Sequence, residues 1–118
     1  MTTARSLRGT ELRYALTMTL ALHGAARIPD LIDTLEYQNF AIPGDPPKVV
    51  SDALRWEVRR DRVCRLRRGL YGPGEMPRST EYYIHQRYLA LREEAAALRA
   101  PLDEAFWNRL FGPRDTPA

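Results

Sequence analysis

The chain has 118 residues, of which 44% are hydrophobic and 28% charged, with a formal net charge of +3. That length supports one globular domain with a modest core rather than two. A single cysteine, Cys64, excludes an internal disulfide and a cysteine-rich zinc site, and no apolar run approaches the length that spans a bilayer.

Residues 1–9 are polar and read as a loosely held arm. The stretch MTTARSLRGTELRYALTMTLAL has an early Arg followed by apolar residues, as a leader does. Glu11, Arg13 and several Thr interrupt it, however, and its apolar positions follow a helical period, so it reads as a folded amphipathic helix. The expected location is the cytoplasm, in association with the nucleoid. Leu12, Leu16, Leu20 and His23 share one face of this first helix, with Thr10 as its cap and Gly24 as its stop. The segment from Ala25 to Ile28 is too short for more than a β-bridge. Pro29 then opens a second helix whose apolar face is Leu31, Ile32, Leu35 and Phe40. Two prolines and a glycine make 41–46 a loop.

A third helix is expected over about 47–60. Val50, Ala53 and Leu54 fall on one side, and Lys48, Ser51, Asp52, Arg55 and Arg59 on the other. Glu57 falls inside the apolar arc, where it calls for an Arg partner or marks the end of the helix. Val63 and Leu66 do not alternate, which predicts a short or bulged strand over 63–67. Arg67-Arg68-Gly69 forms the turn, and Leu70-Tyr71 the return strand, ended by Gly72-Pro73-Gly74.

Ser79 or Thr80 can cap a long helix to about Arg99, along which Ile84, Tyr88, Leu91, Ala95 and Leu98 form a heptad-like seam. That seam suits packing against the first helix and pairing of two subunits equally well. Pro101 is expected to break the helix and start a last one carrying Leu102, Phe106, Trp107, Leu110 and Phe111. As a dimer interface the sequence offers Ile84, Tyr88, Leu91, Leu98, Phe106, Trp107, Leu110 and Phe111.

Charge is strongly segregated. Between Lys48 and Arg68 one Lys and seven Arg face three acids, a local charge of +5, while the rest of the chain sums to −2. A clustered basic element is the electrostatic footprint of nucleic-acid binding. Arg55 and Arg59 lie one helical turn apart, so both can reach base edges or phosphates. Arg62, Arg65, Arg67 and Arg68 suit the phosphate backbone. His23 and His85 have no ligand at zinc spacing and read as packing and surface residues; Cys64 reads as a small packed hydrophobe. No residue set combines base, nucleophile and anion site, so neither an enzyme, a cofactor nor a metal is expected.

Three helices, a basic two-stranded wing and a following long helix resemble the winged helix-turn-helix fold over roughly residues 10–75. The segment KVVSDALRWEVRRDRVCRLRRGLYGPG is similar to bacterial winged-helix regulators, including antitoxin-type repressors of the abortive-infection class. The resemblance implies a mainly α fold with a small β-hairpin wing. Its third helix would lie in the major groove and its wing on the minor groove or backbone. It places Lys48, Ser51, Arg55 and Arg59 toward the groove and Arg67 and Arg68 at the wing tip. Residues 1–78 would form the DNA-binding domain and 79–118 a helical extension for dimerisation. The expected function is a small homodimeric transcriptional regulator of double-stranded DNA. The alternatives are a nonspecific nucleoid-associated binder and a protein-interaction module that uses the aromatic C-terminal helix.

Overall fold

The computed structural model describes the backbone of residues 4–111 and the side chains of residues 4–99. Within them the order is β1 (Arg5–Ser6), α1 (Gly9–His23), β2 (Ala26–Arg27), α2 (Ile28–Tyr37), β3 (Phe40–Ala41), α3 (Pro46–Arg59), β4 (Val63–Arg67), β5 (Leu70–Pro73) and α4 (Arg78–Phe111). The fold is mainly helical, with a three-stranded antiparallel sheet in the order β2-β5-β4 and a separate two-stranded parallel pair, β1-β3.

Helix α1 is the axis of the core. It was expected to bury one face, but every residue from Ala15 to Leu20 is buried, as is Leu12. The reason is that α2, α3, α4 and β5 all pack on it, which leaves this stretch no solvent side. Thr17 and Thr19 are tolerated there because both hydroxyls donate, Thr19 to the Ala15 carbonyl at 2.7 Å and Thr17 to Glu57 at 2.8 Å. Thr10 does not cap the helix. The helix begins at Gly9 without a side-chain cap, and the Thr10 hydroxyl accepts from Arg13 at 3.1 Å. Gly24, at φ 88°, ends it as expected, and its N–H donates to the Leu20 carbonyl at 2.8 Å. His23 is exposed rather than packed.

The N-terminal arm is docked from Arg5 onward. The Arg5 N–H donates to the Asn39 carbonyl at 2.9 Å and the Leu7 N–H to the Ala41 carbonyl at 2.8 Å, which lays β1 parallel to β3. Leu7 is fully buried. The Arg5 guanidinium donates to both Glu11 oxygens, at 2.9 and 3.1 Å, and to Glu94 at 2.7 Å, joining α1 to α4. The Glu11 and then the Glu94 bonds hold its proton more tightly than in a free arginine. Phe40 is buried, but on β3 rather than on α2, because Asn39 takes φ 72° and turns the chain out of the helix.

Ala26 and Arg27 make a true third strand, opposite Tyr71 and Leu70. In the β4–β5 hairpin, Val63 faces Pro73, Cys64 faces Gly72, Arg65 faces Tyr71 and Arg67 faces Leu70, with Leu66 bulged between. This is the expected bulge, and it explains why Val63 and Leu66 break alternation. Arg68 and Gly69, the latter at φ 77°, form the turn. At the hairpin base, Gly74 N–H donates to the Arg62 carbonyl and Glu75 N–H to the Asp61 carbonyl. A Cβ on Gly74 would run into the Asp61 carbonyl oxygen.

Helix α4 runs unbroken through Pro101, so the separate last helix is not formed. Proline's fixed φ is itself helical and costs the ladder one N–H, while good helix formers such as Glu, Ala and Leu flank it on both sides. Ile84, Tyr88, Leu91 and Ala95 are buried in the same core as α1. The inward reading of the seam therefore holds, and Ile84, Tyr88 and Leu91 have no surface left for a second subunit. Leu98 is 44% exposed. The side chains of Phe106, Trp107, Leu110 and Phe111 lie outside the described residues. No helix among the described residues is long and apolar enough to cross a membrane.

Two substitutions test this packing by urea denaturation. Leu7→Ala is expected to lower stability by about 2–5 kcal/mol; a loss well under about 1 kcal/mol would mean that the arm is not docked. Gly74→Ala is expected to cost about 1–3 kcal/mol, because backbone rather than a movable side chain occupies the space.

Candidate nucleic-acid interface

Helix α3 is divided by charge. Val50, Ala53, Leu54 and Glu57 are buried, while Lys48, Asp52, Arg55 and Arg59 are exposed. Ser51 sits half-buried at the margin. The one acid on this face, Asp52, is shared: its Oδ2 lies 3.1 Å from Lys48 Nζ and its Oδ1 3.9 Å from Arg55 Nη1. Both pairs are open to water, where such contacts contribute about 0–1 kcal/mol, so neither holds its cation against a phosphate. Arg55 and Arg59 thus stand outward one turn apart.

The hairpin carries Arg65, Arg67 and Arg68, all exposed. Among the described residues no carboxylate lies within ion-pair distance of Arg59, Arg60, Arg65, Arg67 or Arg68. The bulge at Leu66 sets Arg65 and Arg67 opposite consecutive residues of β5, so by register they leave opposite faces of the ribbon. Cys64 is exposed on β4 and does not pack as a hydrophobe.

Arg62 is removed from the expected backbone-contacting set. Its Nε and Nη2 donate to the two oxygens of Glu57 at 2.8 and 2.9 Å, and its side chain is only 17% exposed. Those bonds raise its pKa, with burial opposing them. Glu57 itself is fully buried. It also accepts from Thr17 at 2.8 Å and lies 3.5 Å from Arg13 Nε. Both expectations for Glu57 hold together: it has an Arg partner, and α3 ends two residues later. Three segments meet on this carboxylate: α1 through Thr17 and Arg13, α3 through its own backbone, and the entry to the hairpin through Arg62.

The Glu57–Arg62 pair cancels inside the protein. What remains at the surface between Lys48 and Arg68 is seven exposed cations, Lys48, Arg55, Arg59, Arg60, Arg65, Arg67 and Arg68, against two exposed acids, Asp52 and Asp61. The local charge of +5 is therefore all surface charge.

Three residues outside the expected set join this region. Trp56, 45% exposed, has the guanidinium carbons of Arg60, Arg13 and Arg59 at 4.7, 5.2 and 5.9 Å from its ring centre. The spacing of Trp56 to Arg59 and Arg60, three and four residues along one helix, was visible in the sequence. Arg13 arrives from α1 and left no local signal. No three His, Cys, Asp or Glu converge as metal ligands among the described residues. No protein-family model matches the chain, and no curated protein or solved structure is significantly similar to it.

Glu57→Gln is expected to lower stability by about 3–5 kcal/mol, the cost of leaving a buried guanidinium without its counter-charge. A urea midpoint close to that of the unsubstituted chain would contradict a structural role for the pair.

Proposed function

We propose that the protein binds double-stranded DNA as a winged helix-turn-helix regulator, with α3 in the major groove and the β4–β5 wing on the minor groove or backbone. The observation that carries this reading is the surface charge of +5 on α3 and the hairpin. Its acids are two exposed carboxylates, and the third, Glu57, is withdrawn into the core. The order α1-β2-α2-β3-α3-β4-β5, with β2 closing the hairpin into a three-stranded sheet, supports the winged-helix part of the proposal.

Roles divide by position. Arg55 and Arg59 on the outward face of α3 reach base edges, where a bidentate Arg–guanine contact discriminates by about 1–3 kcal/mol. Lys48, at the N-terminal turn of α3, and Arg65, Arg67 and Arg68 on the wing neutralise phosphates, which adds affinity without sequence preference. Two copies would pair along α4 from Leu98 onward, since the earlier seam positions are used within the chain.

The test is a gel-shift salt titration with a random-sequence duplex pool and the duplexes selected from it. If all seven exposed cations engage, log K should fall against log salt with a slope of about −6. Arg55→Ala should relax preference at one position, and Arg68→Ala should weaken all duplexes alike. Binding that is indifferent to salt would refute the proposal. Steep salt dependence with no selected sequence would leave a nonspecific DNA-packaging protein in its place.

A further inference from the structure

The wing and the outward face of α3 do not account for the cations around Trp56. Arg13 and Arg60 lie off the groove face, on the side where α3 meets α1. Arg59 belongs to both groups and makes the two surfaces continuous. Between α1 and α3 a depression of about 170 Å³ is lined by Leu12, Arg13, Asp52 and Trp56, with Gly9 at the uncapped start of α1 on its rim.

Three guanidiniums within about 6 Å of one indole are a concentration of like charge that the aromatic face only partly relieves. The acids nearby are committed elsewhere. Glu57 is bound in a bidentate pair by Arg62, and Arg13 reaches it only at 3.5 Å. Asp52 is shared by Lys48 and Arg55. Arg13 Nε is buried and meets Glu57 only as a 3.5 Å ion pair, short of a hydrogen bond, and Arg59 and Arg60 have no carboxylate partner among the described residues. Excess positive charge and a half-exposed indole against which the arginines stack suit a tetrahedral oxyanion.

We propose that Arg13 and Arg60, arrayed on Trp56 beside Arg59, form a phosphodiester clamp that fixes the duplex backbone next to the groove entered by α3. The inference rests on the DNA-binding reading and adds α1 to the contact surface. The clamp sets register and contributes affinity, while base preference stays with Arg55 and Arg59.

The experiment pairs two measurements on the full chain. In a Trp107→Phe background Trp56 is the only indole, so its fluorescence reports the site. Titration with inorganic pyrophosphate should give a saturable change that potassium chloride at equal ionic strength does not reproduce and that Arg60→Ala abolishes. In salt-titrated gel shifts, Arg60→Ala and Arg13→Gln should each make the slope shallower by about 1 and leave the selected sequence unchanged. The Arg60 side chain is exposed and makes no hydrogen bond among the described residues, so its replacement separates loss of the clamp from loss of the fold. Arg13→Lys, which keeps the charge, should restore most of the slope. A chain that binds duplex while both variants keep the original slope, or whose Trp56 answers pyrophosphate and chloride alike, has no clamp, and the DNA-binding reading would stand without it. A chain that binds no duplex at all would sink both.

Discussion

A carboxylate without access to water is tolerated only when its charge is met on several sides, and the Glu57 site meets that condition with one hydroxyl and two guanidiniums. The groups that meet it come from different parts of the chain. Thr17 and Arg13 belong to the most deeply buried helix, and Arg62 is the residue through which the chain leaves α3 for the hairpin. The pair therefore does more than fill space. An apolar residue at position 57 could pack equally well, but it would impose no particular angle between the end of α3 and the start of β4. The directional bonds to Arg62, together with the Arg60 and Arg62 backbone N–H groups on the Glu57 carbonyl, hold that junction in one geometry. Whatever α3 and the hairpin bind together, they present it a fixed spacing.

A second clamp of the same kind works nearer the N-terminus of α1. Arg5 ties Glu11 on α1 to Glu94 on α4, and the strand it sits on pairs with the segment between α2 and α3. The N-terminal half of the central helix is thus fastened to neighbouring elements at two points, and beyond Thr17 apolar contact takes over. Directional bonds in one half and nondirectional packing in the other suit a small domain, whose core is too limited to specify every angle by shape.

Much of this was legible in the sequence, and what was not has a common physical cause. The helices, their approximate bounds and the hairpin followed from local periodicity and turn chemistry, which depend on neighbours a few residues apart. The anomaly at Glu57 was visible as a charged residue in an apolar arc, because pattern alone exposes a mismatch. Its solution was only half visible: Arg62 is five residues away, but Thr17 and Arg13 are on another helix. The docked arm, the third strand at Ala26–Arg27 and the inward use of the α4 seam all depend on pairings distant in sequence. Two-residue strands have no period to detect. Pro101 was misread for a different reason, since a rule about one residue was applied without weighing the helix-forming residues on either side.

The placement of the acids ties the fold to the surface it displays. Glu11, Glu57 and Glu94 are each taken up by an arginine that bridges elements, so acidic charge is spent on internal architecture. On the stretch from Lys48 to Arg68, Asp52 and Asp61 are the acids left outside. A surface with this much positive charge repels itself and lowers the stability of the compact state. Neutralising it with local carboxylates would have been the simple remedy, and the chain does not adopt it. Instead it offsets the repulsion by stacking arginines on Trp56 and by locking the helix–hairpin junction from beneath. A fold that supports a cationic surface while keeping acids off it retains the potential that an external polyanion would neutralise.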